Sequence, residues 1–274
     1  MGLTGTSAQR IVYNLHDHKT AVMDNQAGGT PMLLVHALGL DHRFWRAVYP
    51  MLSGLGRVIA YDIRGHGRAR NAPLTTSMEQ LAEDARQLLD QLEIPQADVF
   101  GASYGGAIAQ HLALAAPERV RSLAVIACAS WFPRQELEAR AVHAEQHGME
   151  AEIPNALMRW FRPETIALNP WEVRYARRKV RNARVSNWAA SWRALARFDV
   201  RPQAANIHQP VLLLSGKQDK SATPDMMAQT EQDYNNSELR TVETGTHMMV
   251  MEQPMAVAAH LQAFRTRLGR PEPA

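Results

Sequence analysis

The sequence has little of several features that would place the protein in other classes. It contains a single cysteine in 274 residues, Cys128, which excludes an internal disulfide and gives no indication of an oxidising compartment. No apolar run approaches the length of about 20 residues that a membrane-spanning helix needs. Residues 1–6 have neither the basic start nor the apolar centre of a secretory signal, so we expect a cytoplasmic protein that does not act at a membrane.

Charge of one sign is also scarce. The formal net charge of +3 is too small, and the charges too widely spread, to indicate nucleic acid binding. One exception is a run of cations with no acidic residue among them: Arg174, Arg177, Arg178, Lys179, Arg181 and Arg184. This run is either a solvated helix face or the source of a field that attracts anionic small molecules to a nearby pocket.

Continuous apolar runs alternate with helix-like segments through the first half of the chain. Such runs predict parallel strands that are covered by helices on both faces. We predict these strands at residues 32–35, 58–61, 99–100, 123–126, 211–214 and 239–242, preceded by an antiparallel pair at 11–15 and 21–23. Helices are predicted at residues 44–53, 77–93, 107–116, from 223 onward, and 254–268, with Ser77 and Gln80 in the pattern of a capping box.

The alternation of strands and helices stops near residue 130. From residue 131 to 198 the pattern is helical, rich in arginine and tryptophan, and contains no candidate strand. We therefore expect a core domain made of residues 1–130 and 199–274, with residues 131–198 inserted as a helical cap.

The most informative motif is Gly101-Ala102-Ser103-Tyr104-Gly105, followed by Gly106. It lies where a predicted strand gives way to a helix, which is the setting of a nucleophile elbow. The sharp turn needs small neighbours, because a side chain at 101, 105 or 106 would collide with the strand or the helix. The turn presents the Ser103 hydroxyl and directs the Tyr104 N–H to where an oxyanion would form.

A serine hydroxyl needs a base, and the base needs a group that orients it. Asp219 follows the predicted strand that begins at residue 211, and His247 follows the strand that ends at 242, so both lie at the carboxyl edge of the sheet. We predict that Ser103, Asp219 and His247 form a catalytic triad. The best alternatives are His66 as the base, and Asp225 or Asp62 as the acid; His66 is expected on the far side of the sheet from Asp219.

A tetrahedral intermediate also needs two donors for its oxyanion. The first is the N–H of Tyr104, and the loop after the strand at 32–35 should supply the second, for which we choose Leu38. The residues that we expect to line the substrate pocket are Ala37, Gly39, Trp131, Trp160 and Met248.

With these residues in place, the chain resembles the α/β-hydrolase superfamily over almost its full length, and within it the bacterial 3-oxoadipate enol-lactonases. The similarity is carried by residues 38–41 with Trp45, 61–67, 159–161, 199–202 and 215–224. It implies an α/β-hydrolase fold, a mostly parallel central sheet flanked by helices, with an inserted helical cap. It also implies that a small lactone or ester is hydrolysed without a metal or organic cofactor.

The sequence departs from these lactonases at two sites. They have Gly-Leu-Ser-Met-Gly-Gly at the elbow and Asn-Ser-Leu-Gly at the oxyanion loop, where this chain has Tyr104 and His36-Ala37. The reaction class stands, but the substrate stays open, as does association into a homo-oligomer. The alternatives are a hydrolase of C–C bonds in ring-cleavage products, a general carboxylesterase, a cofactor-free oxygenase and a non-catalytic ligand receptor.

Overall fold

The computed structural model describes residues 9–75 and 77–268. The absence of a secretory signal was inferred from residues 1–6, which lie outside this part of the chain. Within the described part, no helix is both long enough and apolar enough to cross a membrane.

A sheet of eight strands forms the centre of the fold. The strands are β1 (Gln9–Asn14), β2 (Lys19–Asp24), β3 (Met32–Val35), β4 (Val58–Tyr61), β5 (Ala97–Ala102), β6 (Val120–Ile126), β7 (Val211–Gly216) and β8 (Ser237–Val242). Their spatial order is β1-β2-β4-β3-β5-β6-β7-β8. The pairs β1/β2 and β2/β4 are antiparallel and all the others are parallel, so the predicted antiparallel lead-in and mostly parallel sheet are confirmed.

The central strands are apolar throughout because both of their faces are covered. Every residue of β3, β4, β5 and β7 is buried. A strand with one solvated face would alternate polar and apolar residues instead. This explains why continuous apolar runs located the strands correctly.

Ten α-helices flank or extend the sheet within the described residues. They are α1 (Tyr49–Ser53), α2 (Met78–Gln91), α3 (Tyr104–Ala115), α4 (Arg134–Trp160), α5 (Pro163–Leu168), α6 (Trp171–Arg181), α7 (Val185–Ala196), α8 (Pro224–Gln232), α9 (Met249–Glu252) and α10 (Pro254–Leu268). The Ser77 side chain caps α2 by accepting a hydrogen bond from the Gln80 N–H at 3.2 Å.

The helix predicted at residues 44–53 is wrong in extent. A 3₁₀ turn at His42–Trp45 comes first, and α1 begins only at Tyr49 with Pro50 in its first turn. Proline has no N–H to donate and clashes with the preceding turn, so it is tolerated only at the start of a helix. The proline therefore divides the predicted helix.

Helices α4 to α7 lie between β6 and β7 in the chain. The segment leaves and rejoins the sheet at one place, because Trp131 and Asp199 form an isolated antiparallel bridge and the Val200 N–H donates to the Ser130 carbonyl at 2.9 Å. Helix α4 is interrupted at Gly148, where φ is 74°, and its two parts pack on α6 and α7.

Candidate active site

Ser103 stands at the turn between β5 and α3. Its backbone has φ of 51° and ψ of −117°, a region that residues other than glycine rarely occupy and that marks strain at functional sites. A Cβ built at Gly101 would lie 2.1 Å from the Gly105 carbonyl oxygen, and one at Gly105 would lie 2.2 Å from the Val35 oxygen. A Cβ at Gly106 would lie 2.6 Å from the Cys128 Cβ. A side chain would therefore collide at all three glycines, although at Gly106 the collision is with a residue that follows β6 and not with β5 or α3.

The structure brings Ser103, His247 and Asp219 together. The His247 Nε2 lies 2.8 Å from the Ser103 Oγ, and the His247 Nδ1 lies 2.9 Å from one Asp219 carboxylate oxygen and 3.1 Å from the other. All three residues are buried. This geometry lets the imidazole accept the serine proton at Nε2 while the carboxylate holds the N–H at Nδ1.

The carboxylate and the imidazole meet because β7 and β8 are neighbouring parallel strands. Their carboxyl ends lie at the same edge of the sheet, so the loops that carry Asp219 and His247 run side by side. The Asp219 Oδ1 also accepts hydrogen bonds from the N–H groups of Ser221 at 2.7 Å and Ala222 at 3.1 Å. These bonds fix the carboxylate before any substrate binds.

The alternative residues lie elsewhere. His66 follows β4, which β3, β5 and β6 separate from β7, and its Nδ1 lies 2.9 Å from the Arg64 carbonyl oxygen. Asp225 is exposed on α8. Asp62 is paired with His42, whose Nδ1 lies 2.7 Å from the Asp62 Oδ1. Sequence reasoning missed this second His–Asp pair, although both residues follow β3 and β4, which are adjacent in the sheet.

The loop after β3 and the start of α3 carry the two candidate oxyanion donors. Tyr104 is the first residue of α3, so its N–H has no carbonyl one turn earlier in the helix. The N–H of Leu38 donates to no backbone carbonyl among residues 9–75 and 77–268. Both groups are therefore available to a ligand next to Ser103.

His36 supports this loop from below. Its Nδ1 lies 2.9 Å from the Ala37 carbonyl oxygen, and its Nε2 accepts a hydrogen bond from the Ile63 N–H at 3.0 Å. Burial, followed by the neighbouring His66, lowers the pKa of His36 to about 3. The imidazole is thus neutral at pH 7, and its acceptor nitrogen ties the loop after β3 to the loop after β4.

A cavity of about 170 Å³ opens next to the Ser103 hydroxyl and His247. We call it the serine cavity. Of the residues predicted for the substrate pocket, Trp160 and Met248 line this cavity, and so does Leu38, which was predicted as an oxyanion donor. The lining also includes residues that sequence reasoning missed: Phe132, Arg140, Trp192, Leu195, Lys220 and Met226 among others.

Three of the residues predicted for the pocket do not line the serine cavity. Ala37 is buried beneath the loop. Gly39 faces a different cavity. Trp131 is covered by the guanidinium of Arg201, 4.6 Å from the centre of its ring, at the point where the chain rejoins the sheet. Neighbouring residues of the loop after β3 face different cavities, as Leu38 and Gly39 do, so closeness in the sequence did not predict which residues line the serine cavity.

Two of the residues that line the serine cavity are cationic, Arg140 on α4 and Lys220 after β7. The guanidinium of Arg140 lies 4.9 Å from the centre of the Trp192 ring, and that of Arg159, which borders a neighbouring cavity, lies 5.8 Å from the same ring centre. Burial lowers the pKa of Arg159 to about 10 and also lowers that of Arg140, although both stay charged at pH 7. The Glu136 Oε2 lies 3.8 Å from the Arg140 Nη2, and the exposed Lys220 is the second cation in the lining.

Two groups of side chains bring metal-ligating atoms close together within the described chain. They are Asp17, His18 and Asp84, and Asp41, His42 and Asp62. In the first group Arg64 forms ion pairs with both carboxylates, and in the second Arg43 and Lys179 pair with Asp41. In each group, carboxylates are therefore already paired with arginine or lysine side chains of the protein.

The eight-stranded sheet, the strained backbone of Ser103 and the buried imidazole of His247 beside it are the features of an α/β-hydrolase. The chain belongs to the α/β-hydrolase family, since the model of the alpha/beta hydrolase fold matches residues 30–254. It is similar to 3-oxoadipate enol-lactonase 2 of Acinetobacter baylyi, with 31% identity over 243 residues that cover 88% of this chain and 91% of that protein. The resemblance seen in the sequence is thereby confirmed.

Solved structures of hydrolases have the same fold. A hydrolase from Pseudomonas aeruginosa PA01 superposes with a TM-score of 0.88 at 26% identity, covering 96% of this chain and 99% of that one. The enol-lactonase from Burkholderia xenovorans LB400 superposes with a TM-score of 0.84 at 28% identity, covering 90% and 97%. The protein is a hydrolase of the carboxylic ester hydrolase or lactonase type.

Proposed function

We propose that the protein hydrolyses a small lactone or ester that carries a carboxylate, through an acyl-enzyme on Ser103. The observation that carries the proposal is the hydrogen-bonded series Ser103–His247–Asp219, which opens into a cavity with cations in its wall. Similarity to enol-lactonases supports the lactone as the substrate class.

The reaction follows from the positions of these groups. His247 Nε2 takes the proton from the Ser103 Oγ as this oxygen attacks the acyl carbon. The N–H groups of Leu38 and Tyr104 bind the oxyanion. The C–O bond then breaks, and His247 returns the proton to the leaving oxygen. Water repeats the sequence on the acyl-enzyme, while Asp219 stabilises the imidazolium each time.

The cavity wall supports an anionic substrate. Two cations, the partly buried Arg140 and the exposed Lys220, border the space next to Ser103, and Glu136 is the one acidic residue among the described lining residues. A carboxylate gains more from such partners in a confined site than in water. The aromatic rings of Trp160 and Trp192 suit the apolar body of a small substrate.

The first experiment compares the wild type with Ser103→Ala on p-nitrophenyl acetate and on a panel of carboxylate-bearing enol-lactones. We expect lactone turnover well above ester turnover, and a loss of roughly 10⁴-fold or more in the variant. Ser186→Ala, an exposed serine on α7, serves as the matched control.

The same assay separates the alternatives. Fast ester turnover with idle lactones would identify a general carboxylesterase. Turnover of neither by a folded protein would contradict the proposal and favour cleavage of C–C bonds. Activity that requires dioxygen would favour the oxygenase, and repeating the assay without oxygen tests this directly.

A further inference from the structure

A second cavity of about 270 Å³ lies on the other side of Trp188 from the serine cavity. We call it the basic cavity. Gly39 and the loop after β4 form its floor, and α6, α7 and the turn between them form its walls. The cationic run that stood out in the sequence contributes Arg178, Lys179 and Arg184 to its lining.

The charges in the basic cavity are not balanced. Arg43 and Lys179 share one carboxylate, that of Asp41, which lies within ion-pair distance of both. Arg70, Arg178 and Arg184 also line the cavity, and none of these three has an ion pair within residues 9–75 and 77–268. Three exposed arginines from three different segments therefore border one concave space, and no carboxylate of the described residues forms an ion pair with them.

The frame around these cations is held in place by buried polar contacts. The Asn187 side chain donates to the carbonyl oxygens of Gly65 at 3.1 Å and Arg70 at 2.9 Å, which ties α7 to the loop after β4. The Tyr175 hydroxyl donates to the Asp41 Oδ1 at 2.7 Å, which ties α6 to the loop after β3. The cavity is thus a fixed feature of the fold, unlike a row of arginines on a single solvated helix.

The other cations of the run provide a contrast. Arg181 forms an exposed ion pair with Glu150, and the guanidiniums of Arg174 and Arg177 donate to Asn169. These three residues are not in the lining of the basic cavity, and their partners lie on α4 and at the end of α5. The run of cations therefore divides into three residues with partners outside the basic cavity and three that line it, and of these three only Lys179 forms an ion pair within the described residues.

We propose that the basic cavity binds a small molecule bearing a phosphate group. A phosphate dianion offers three oxygens to donors that approach from different directions, and the fork of each guanidinium matches two of them. A planar carboxylate is satisfied by a single bidentate arginine and would leave the other cations unpaired. Trp188 separates this site from Ser103, because its ring packs against Trp160 and Trp192 of the serine cavity. The ligand is therefore distinct from the substrate of the proposed hydrolysis.

Isothermal titration with pyrophosphate, adenosine diphosphate and the tricarboxylate tricarballylate tests the proposal. We expect both phosphate probes to bind more tightly than tricarballylate. The double variant R178Q/R184Q should weaken pyrophosphate binding at least tenfold. R181Q removes the same kind of charge from the same helix outside the cavity, and it should change the affinity less than twofold.

Binding is measured without turnover, so its failure and the failure of the proposed hydrolase function are distinguishable. No binding of either phosphate probe at millimolar concentration would overturn the proposal. Equal losses in R178Q/R184Q and R181Q would show general attraction to a basic surface and would also overturn it, as would tighter binding of tricarballylate. Thermal unfolding of each variant checks that the fold is retained.

Discussion

The indole of Trp188 lies against the backbone of Gly39, so close that a Cβ at Gly39 would fall 2.5 Å from the Trp188 Cζ3. Gly39 has a φ of 77°, which disfavours any other residue, and it follows Leu38, the proposed oxyanion donor. Helix α7 and the loop after β3 therefore fix each other's positions, and the inserted helices help to place the amide that we propose as an oxyanion donor.

Gly39→Ala is the direct test of this contact. The positive φ and the collision with a buried ring should together lower the free energy of unfolding by about 2–4 kcal/mol. The displaced Leu38 N–H should lower kcat at least tenfold. Gly28→Ala is the matched control, because no atom lies within 4 Å of its Cβ position. Unchanged kcat and stability in Gly39→Ala would contradict the interpretation.

Asp219→Asn tests the proposed acid. The amide keeps the volume of the side chain but cannot favour the imidazolium or hold the required tautomer, so kcat should fall roughly 10³–10⁴-fold. Asp225→Asn provides the comparison, since this exposed acid lies on the following helix. Steady-state kinetics on one lactone measures both, and a larger loss in Asp225→Asn would show that the acid is misassigned.

The nucleophile elbow could be predicted because its motif is continuous in the sequence. A Cβ at Gly101 would collide with the Gly105 carbonyl within the turn, whereas one at Gly105 or Gly106 would collide with Val35 or Cys128 in neighbouring segments. The strand β7, which precedes Asp219, is buried along its length, so an apolar run marks it. The strand β8, which precedes His247, is largely polar and partly exposed, so no continuous apolar run marks it. Because β7 and β8 are parallel neighbours, the residues that follow them meet at one edge of the sheet. The same holds for His42 and Asp62, which follow the parallel neighbours β3 and β4, but sequence reasoning overlooked this pair.

The walls of the serine cavity could not be predicted in the same way. Arg140 and Trp192 lie on α4 and α7, and which face of each helix meets the cavity depends on how the inserted helices pack against one another and on the sheet. Trp131 was a reasonable choice by composition, but it lies where the chain rejoins the sheet and packs under Arg201. The hydrophobic periodicity of a single helix does not predict which of its residues will line a cavity formed by several helices.

Arg140→Gln tests whether the positive charge of Arg140 in the serine cavity binds the carboxylate of the substrate. A hydrogen bond to a charged group contributes about 1.5–3 kcal/mol, so KM for a carboxylate-bearing lactone should rise about tenfold or more. KM for neutral p-nitrophenyl acetate should change little. Arg193→Gln is the control, because Arg193 lies on α7 and forms exposed ion pairs with Glu138 and Glu145 outside the cavity. Equal effects on the charged and neutral substrates would exclude a role for Arg140 in recognising the carboxylate.

The buried His36 makes stability depend on pH. Its pKa in the folded protein is about 3, mainly because of burial, whereas an unfolded histidine has a pKa of about 6.5. Between these values the unfolded chain binds more protons, so the free energy of unfolding falls as pH decreases below 6.5. The slope is up to about 1.4 kcal/mol per pH unit, which gives about 2 kcal/mol between pH 7 and pH 5.

Urea unfolding of the wild type and His36→Gln at pH 7 and pH 5 measures this contribution. Glutamine keeps an acceptor for the Ile63 N–H but does not titrate, so the variant should lose about 2 kcal/mol less than the wild type on acidification. His208→Gln removes an exposed histidine and should follow the wild type. Because acidic residues titrate alike in all three proteins, the differences isolate His36. Parallel pH profiles for His36→Gln and the wild type would show that His36 takes up its proton as readily in the folded protein as in the unfolded chain, and the lowered pKa of this imidazole would then be wrong.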